Sequence, residues 1–261
     1  MNQKVSAPMI QAQKGQTPVV CVTAYDALEA TIADEAGVDL ILVGDSVGNV
    51  KLGLKSTVHV TMAMMCHHVA AAARANPRAL LVGDLPIGSY QTGIGDAVSN
   101  ALALVQAGAD AVKLEGVYPL EIEAMVKAGI PVMGHLGMTP QRVLAFGGHK
   151  VQMKAEGDAD RLLSLARLLA DAGCFSVVLE LVPEAVAQVV TEGLNVPTIG
   201  IGAGRYCDGQ IQVIADVLGL SSRKFRHAKP YVEGRELFRE AIRKYSDEVR
   251  TKGFPTQDNA V

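Results

Sequence analysis

The chain has 261 residues, of which 49% are hydrophobic and 20% are charged, and its formal net charge is −3. This length fits one large domain or two small ones, and this composition is typical of a globular protein and excludes a disordered one. Aromatic residues make up only 4% of the chain and tryptophan is absent, so no stacking platform or basic footprint for nucleic acid is expected.

The cysteines and the apolar runs indicate the compartment. No two of the four cysteines form a C-x-x-C pair, so a structural zinc site is not expected and a reduced chain is the natural interpretation. No apolar run approaches the roughly 18 residues of a membrane-spanning helix, and the N-terminus lacks the apolar segment of a signal peptide. We therefore expect a cytoplasmic protein without a membrane or nucleic-acid partner.

Apolar runs alternate with helical segments along the whole chain. The runs predict eight buried strands, the last of them weak, at residues 19–23, 39–43, 79–83, 110–116, 130–134, 175–179, 197–201 and 211–215. Helices are predicted at about 4–13, 27–36, 61–75, 96–107, 119–128, 158–172, 183–192 and 235–250, with long loops at 46–60 and 138–157. Continuous apolar strands separated by helices indicate parallel strands covered by helices.

Eight such units in this length favour a closed barrel over an open doubly wound sheet. We expect an α/β fold, a (β/α)8 TIM barrel with an N-terminal capping helix and an extra C-terminal helix. A single domain is predicted over residues 1–261. Within it we expect a helical cap at 1–18, the barrel core at 19–217, and the C-terminal helix and tail at 218–261.

The fourth predicted strand carries two charged residues in an otherwise apolar run. Lys113 and Glu115 are two positions apart, so on a strand their side chains point to the same face. A charge that faces the inside of a packed domain is costly unless it is paired or holds a metal. This stretch alone fits a structural salt bridge at a strand end as well as it fits the floor of a functional site.

Other predicted strands also end in charged residues, and this favours a site. In barrels of this kind the functional site lies at the C-terminal ends of the strands. Any one such residue is most simply a strand end that faces solvent. The N-terminal ends, however, carry mainly Pro, Gly and small residues, so chance does not account for the whole set: Asp45, Asp84, Lys113, Glu115, His135 and Glu180.

Three of these residues are carboxylates from neighbouring strands two, three and four: Asp45, Asp84 and Glu115. Crowded carboxylates either share protons or bind a cation, and an all-oxygen ligand set suits Mg²⁺, or Mn²⁺, better than Zn²⁺. Lys113 would supply positive charge for an anionic substrate, and Glu180, two strands further round, is the candidate base. This pattern suits the stabilisation of an enolate formed from a 2-oxo acid.

Nine short stretches extend this pattern along the chain: TAYD at 23–26, LVGDS at 42–46, GDLP at 83–86, VKLEG at 112–116, GHLGMTPQ at 134–141, GGHKVQ at 147–152, VLELVP at 178–183, GIGAG at 200–204 and DGQ at 208–210. Together, and in this order, they resemble the ketopantoate hydroxymethyltransferase family. The resemblance covers roughly residues 19–220.

The resemblance implies a (β/α)8 barrel that assembles into a ring-shaped homodecamer. It implies transfer of a hydroxymethyl group from 5,10-methylenetetrahydrofolate to 3-methyl-2-oxobutanoate, which gives ketopantoate (2-dehydropantoate) through a Mg²⁺-stabilised enolate, the first step of pantothenate synthesis. The implied residues are, for the metal, Asp45, Asp84 and Glu115; for the substrate, Asp45, Ser46, Asp84 and Lys113; and as proton acceptor, Glu180.

The role of His135 stays open at this point. Its position at the end of the fifth predicted strand would let it donate a hydrogen bond to the substrate, order Glu180 or act as a structural neighbour of the site. The chain also departs from the family pattern in loops and near the weak eighth strand, at Lys55, His59, His149, Met153 and Ala215. None of these is a predicted metal ligand or base, so they concern the folate contacts more than the chemistry.

Two other functions are compatible with parts of this pattern. One is another Mg²⁺-dependent barrel enzyme acting on 2-oxo acids, such as a carbon–carbon lyase or a phosphoenolpyruvate mutase, but those relatives lack the TAYD and GGxKVQ stretches. The other is a non-catalytic barrel that binds a small acid as a sensor or scaffold. It leaves the convergence of three carboxylates, a lysine and Glu180 without a reason.

Overall fold

A computed structural model describes residues 3–148, 150–222 and 225–260 of the chain. These residues form two compact units, the first ending at Val213 and the second beginning at Ile214. The domain limits given above from the sequence stay predictions. His149, one of the departures from the family pattern, lies outside the described residues.

Eight parallel strands close the first unit into a barrel, in which each strand pairs with the next and β8 pairs with β1. The predicted (β/α)8 fold is therefore confirmed. The strands are β1 Val19–Thr23, β2 Leu40–Val43, β3 Leu80–Asp84, β4 Ala111–Lys113, β5 Val132–Gly137, β6 Ser176–Glu180, β7 Thr198–Ile201 and β8 Gly209–Gln212.

Helices connect and cover the strands. In the first unit they are α1 Ala7–Gln11, α2 Ala27–Glu35, α3 Val47–Val50, α4 Met62–Ala73, α5 Ile94–Gln106, α6 Pro119–Lys127, α7 Val143–Phe146, α8 Asp158–Asp171 and α9 Glu184–Gly193, with 3₁₀ turns at Thr57–His59 and Pro140–Arg142. The second unit contains α10 Ile214–Val217, α11 Gly234–Arg250 and a 3₁₀ turn at Gln257–Asn259. No helix in the described ranges is both long and apolar enough to cross a membrane.

The prediction for the eighth strand was wrong. It begins at Gly209, two residues before the predicted start, and Ile214 and Ala215 already belong to α10. At Gly209 the backbone runs so close to β1 that a Cβ atom would lie 2.5 Å from the carbonyl oxygen of Val19. The strand thus starts on a glycine that no apolar pattern reveals. The predicted loops at 46–60 and 138–157 also contain short helical turns.

The N-terminal segment closes one end of the barrel, which confirms the predicted capping helix. Val5, Ala7 and Ile10 are buried in one apolar cluster with residues inside the barrel. The Lys14 ammonium group donates to Asp208, just before β8, at 2.8 Å. Asp208 also accepts from the backbone N–H of Gly15 at 3.0 Å. Burial and these polar contacts together hold the cap on the N-terminal ends of the strands.

The inward-facing side chains change from apolar to charged along four neighbouring strands. Side chains two positions apart share a strand face, so each charged residue follows a residue of the barrel core on the same side. The four pairs are Val82 and Asp84, Ala111 and Lys113, Met133 and His135, and Val178 and Glu180. The C-terminal mouth of the barrel is therefore the place where polar groups converge.

Candidate active site

A buried ion pair between neighbouring strands lies at the base of the mouth. The Lys113 ammonium group donates to both carboxylate oxygens of Asp84 at 2.8 Å, whereas its distance to Oε1 of Glu115 is 3.9 Å. Burial lowers the pKa of Lys113, but Asp84 and Glu115 outweigh burial and raise it above its usual value. The shorter ion pair therefore joins β3 to β4, and the Lys113–Glu115 pair considered above is the longer of the two.

Asp45 lies in the turn after β2 and completes a cluster of three carboxylates. Its backbone N–H donates to Oδ2 of Asp84 at 3.2 Å, and its own Oδ2 accepts from Nε2 of Gln141 at 3.0 Å. Burial, followed by the charges of Asp84 and Glu115, raises the pKa of Asp45 well above its usual value, although Lys113 and Gln141 oppose this. Burial also raises the pKa of Asp84, in spite of Lys113. The cluster thus places three carboxyl groups around one lysine.

His135 lies between Glu115 and Glu180. Its Nδ1 atom is 3.6 Å from Oε1 of Glu115, and its Nε2 atom is 3.3 Å from Oε2 of Glu180. Both ring nitrogens are buried without hydrogen-bond geometry, so these contacts are electrostatic. Burial and Lys113 lower the pKa of His135, but Glu115 and Glu180 prevail and raise it to about 9. The two carboxylates on either side of His135 therefore favour the protonated form of its ring.

Glu115 and Glu180 differ in their surroundings. Burial raises the pKa of Glu115, but His135, Lys113 and the Gln141 N–H together lower it below its usual value. The Glu115 side chain is only 1% exposed, whereas that of Glu180 is 17% exposed. Among these acids Glu180 is therefore the one with access to a molecule that enters the mouth.

The hydroxyl of Ser46 is held by Tyr25, which lies in the loop after β1. Its Oγ atom is 2.9 Å from the hydroxyl oxygen of Tyr25, a fully buried residue. The Tyr25 backbone N–H donates to Glu29 at 3.0 Å, and its carbonyl oxygen lies 2.7 Å from Nδ1 of His68. Because both ends of Tyr25 are fixed, the Ser46 hydroxyl has a defined place at the rim.

One cavity of about 120 Å³ brings all the predicted site residues together. Its walls include Asp45, Ser46, Asp84, Lys113, Glu115, His135 and Glu180. The roles that the sequence assigns to them stay predictions.

A second cavity of about 850 Å³ opens beside the first. Tyr118 and Phe146 contribute aromatic rings to its lining, and Gln91 and Gln152 contribute amide groups. The guanidinium groups of Arg142 and Arg161 also line this cavity, as does Met153. Gln141, which contacts the charged cluster, lines it as well. Lys55 and His59, two other departures from the family pattern, are exposed between α3 and α4.

Two residues of the site were missed in the sequence. Gln141 is 2% exposed and contacts Asp45 and Glu115, and Tyr90 is 1% exposed and contacts Gln141. Both lie in connections between strands and helices, where no periodicity indicates which side chains point inward. A signal existed only for Gln141, which ends the GHLGMTPQ stretch.

A parallel (β/α)8 barrel with buried charged groups at its C-terminal mouth defines a barrel enzyme. A family model described as ketopantoate hydroxymethyltransferase matches residues 4–257. The chain belongs to this family. The predictions that it is an enzyme and a member of this family are therefore confirmed.

Relatives and solved structures agree with this assignment. A 3-methyl-2-oxobutanoate hydroxymethyltransferase of Pyrobaculum aerophilum is 53% identical over 94% of this chain and 95% of its own. The protein of that name from Aeropyrum pernix is 51% identical over 99% and 95%. The structure of 2,3-dimethylmalate lyase, of the PEP mutase/isocitrate lyase superfamily, has a TM-score of 0.63 at 16% identity and covers 100% of this chain and 92% of its own. This last likeness shows the fold alone.

We expect Gly137→Ala to disturb the backbone that carries Glu180. Gly137 has a φ angle of +94°, and a Cβ atom there would lie 2.3 Å from the carbonyl oxygen of Glu180. The clash and the strained φ angle should together lower the free energy of unfolding by about 2–4 kcal/mol. Urea denaturation followed by circular dichroism measures the loss.

Gly129→Ala is the matched control for this change. Gly129 has a similar φ angle of +85°, but a Cβ atom there would meet nothing within 4 Å. Its cost should be limited to the strain of the left-handed backbone, about 1 kcal/mol. Equal losses for the two variants would show that close packing against Glu180 is unimportant.

Proposed function

We propose that the chain transfers a hydroxymethyl group from 5,10-methylenetetrahydrofolate to 3-methyl-2-oxobutanoate and so forms ketopantoate, the first step of pantothenate synthesis. The observation that carries this proposal is the convergence of Lys113, three carboxylates and the more accessible Glu180 on one small cavity. The shared name of the curated relatives supports the same reaction.

The donor set at the mouth fits Mg²⁺. Asp45, Asp84 and Glu115 offer only oxygen atoms, and hard divalent cations prefer oxygen ligands. Burial, followed by the charges of Asp84 and Glu115, raises the pKa of Asp45, and a cation would offset the repulsion between these carboxylates. A phosphonopyruvate hydrolase of the same fold, with a TM-score of 0.61 at 14% identity and covering 94% of this chain and 99% of its own, is described as a complex with oxalate and Mg²⁺.

The carboxylate of Asp84 would have to give up a contact with Lys113 to meet a cation. As they stand in the described residues, no three His, Cys, Asp or Glu side chains are arranged as a metal site. For Asp84 the reason lies in its partner, because Lys113 holds both oxygens of that carboxylate. A cation on Asp84 would compete with Lys113 for that carboxylate, which would leave the ammonium group for an anionic substrate.

The chemistry follows from these positions. When bound, the metal would withdraw electrons from the 2-oxo acid and make its C3 hydrogen more acidic. Lys113 and the hydroxyl of Ser46 would bind and orient the acid, and Glu180 would accept the proton from C3. His135 would act as the cationic neighbour that holds the Glu180 carboxylate in place, because its Nε2 atom lies 3.3 Å from Oε2. The resulting enolate carbon would attack the methylene group of the folate, whose C–N bonds to the methylene carbon would break, and water would supply the hydroxyl group, so that tetrahydrofolate leaves.

The second cavity suits the folate. Its volume of about 850 Å³ lies in the range of pockets for large ligands, whereas about 120 Å³ leaves room only for a small acid. The rings of Tyr118 and Phe146 suit a planar heterocycle, and the guanidinium groups of Arg142 and Arg161 suit the carboxylates of a glutamate tail. Lys150, in the same loop as Arg142, is a further candidate for the tail.

The alternative functions have less support. A lyase or mutase activity rests on likeness to structures of about 16% identity, which concerns the fold alone. A scaffold gives no reason for the cost of burying three carboxylates around one lysine.

We also propose that the chain is cytoplasmic and assembles into a homodecamer. Four free cysteines support a reducing compartment. Helix α11 supports assembly, because a stripe of large apolar side chains on it is between 43% and 68% exposed: Leu237, Phe238, Ile242, Tyr245 and Val249.

We expect Glu180→Gln to stop proton removal from the substrate. The wild-type protein with Mg²⁺ and no folate should exchange the C3 hydrogen of 3-methyl-2-oxobutanoate for deuterium in deuterated water, as followed by NMR. The amide cannot accept the proton, so exchange should fall by about 10²- to 10⁴-fold. Glu184→Gln, an exposed change four residues away, is the control and should exchange normally. Normal exchange by Glu180→Gln would exclude it as the base.

We expect Arg161→Ala to weaken the binding of the folate and not that of the 2-oxo acid. Loss of one charge contact at an exposed rim should raise the KM for 5,10-methylenetetrahydrofolate by about 3- to 10-fold and leave the KM for 3-methyl-2-oxobutanoate unchanged. Steady-state kinetics with a polyglutamylated donor measures both constants. Arg167→Ala, on the same helix but outside the cavity lining, is the control. An unchanged donor KM would place the folate elsewhere.

We expect Ile242→Glu to disrupt assembly, because Ile242 is 68% exposed in the middle of the apolar stripe of α11. Sedimentation velocity should give the mass of a decamer for the wild-type protein and smaller masses for the variant. Lys244→Glu, on another side of the helix, should assemble normally. A monomeric wild-type protein would contradict the proposed decamer.

A further inference from the structure

Gln141 uses the whole hydrogen-bonding capacity of its side chain inside the charged cluster. Its Nε2 atom donates to Oδ2 of Asp45 at 3.0 Å and to the carbonyl oxygen of Leu85 at 2.9 Å. Its Oε1 atom accepts from the hydroxyl of Tyr90 at 2.7 Å and from Nε2 of Gln91 at 3.5 Å. A side-chain amide has two N–H groups and two acceptor positions, so every position is occupied.

These partners fix the direction of the amide. If the amide turned over, its oxygen would face the carboxylate of Asp45 and the carbonyl oxygen of Leu85, and two acceptors would meet without a hydrogen. Because Gln141 is 2% exposed, water could not relieve that contact. The N–H groups must therefore point at Asp45.

The same residue also reaches Glu115. The backbone N–H of Gln141 donates to Oε2 of Glu115 at 3.0 Å. One residue, located in the 3₁₀ turn after β5, thus binds one oxygen of a carboxylate from the β2 connection and one oxygen of a carboxylate after β4. Hydrogen bonds of this charge-assisted kind are stronger than those between neutral groups.

Tyr90 holds this arrangement from behind. Besides its contact with Gln141, its hydroxyl accepts from the backbone N–H of Glu115 at 3.1 Å and lies 3.0 Å from the carbonyl oxygen of that residue. Its ring is 1% exposed and packs edge-on against Tyr118 with the ring centroids 5.2 Å apart. The hydroxyl therefore has one fixed place, between Gln141 and the chain segment that carries Glu115.

We propose that Gln141, held by Tyr90, is a positioning residue for the cation. It fixes Oδ2 of Asp45 and Oε2 of Glu115, so that a cation would meet Oδ1 of Asp45 and Oε1 of Glu115, the oxygen that also faces Lys113 at 3.9 Å and His135 at 3.6 Å. The inference rests on the proposed function, which makes these two carboxylates ligands. Neither Gln141 nor Tyr90 touches the reacting atoms in this scheme, and both act through the carboxylates.

Two variants test the proposal with metal affinity as the readout. Gln141→Met keeps a side chain of similar length but removes its hydrogen bonds, and Tyr90→Phe removes only the hydroxyl. The probe is Mn²⁺, whose free concentration is measured by electron paramagnetic resonance on the full-length protein without substrate. Loss of a partner that orients a ligand should raise the Kd for Mn²⁺ by about 10- to 100-fold.

The control is Ser89→Ala. It removes another buried hydroxyl from the same loop, one that donates to the carbonyl oxygen of Pro86 at 2.6 Å. It should bind Mn²⁺ as the wild-type protein does. Thermal unfolding of each variant shows whether it is folded, and the conservative Tyr90→Phe keeps the test valid if Gln141→Met does not fold.

The outcomes separate this inference from the proposed function. Wild-type affinity for Mn²⁺ in folded Tyr90→Phe overturns the positioning role, while the metal site itself stands. If the wild-type protein fails to bind Mn²⁺, the metal in the proposed function is overturned before any variant is compared. A selective loss in both variants, with Ser89→Ala unchanged, supports the proposal.

Discussion

The site depends on one electrostatic constraint, the neutralisation of a buried group of carboxylates by a single lysine. Lys113 holds both oxygens of Asp84 at 2.8 Å, and Asp45 and Glu115 belong to the same cluster. Two unit charges at 4 Å interact with about 4 kcal/mol at an effective dielectric constant of 20, so each uncompensated neighbour is significant. The contacts with His135 and Gln141 reduce the repulsion between these carboxylates, and a divalent cation would do the same.

The fold can hold these buried charges because the residues that stabilise the barrel and the charged residues lie at different ends of the strands. The lower part of the barrel is filled by apolar side chains and by the N-terminal cap, with Ile10 only 1% exposed. The charges occupy the next inward positions at the other end. A rigid apolar core thus holds the strand ends in place, and the charged side chains need only local partners to keep their positions.

The sequence predicted the strand residues of the site well for a physical reason. The common ends of parallel strands brought Lys113, His135 and Glu180 to the same mouth. Glu115 also lines the cavity there, although β4 ends at Lys113 and not at 116 as predicted. The start of the eighth strand was missed because Gly209 lies where only backbone packing, and no apolar side chain, defines the strand. Gln141 and Tyr90 were missed because the path of a connecting loop is set by contacts distant in sequence.

The strands and the connections between them contribute different kinds of residue to the site. Strands supply the charged groups, whereas the connections supply the polar groups that orient them, as Gln141 does for Asp45 and Tyr25 does for Ser46. Gln141 also lines the larger cavity, together with Gln91. Nε2 of Gln91 donates to Oε1 of Gln141 at 3.5 Å. A ligand in that cavity would lie next to the residue that orients the carboxylates. Gln141 thus lies between the two cavities, because it lines the larger one and donates to Asp45, which lines the smaller one.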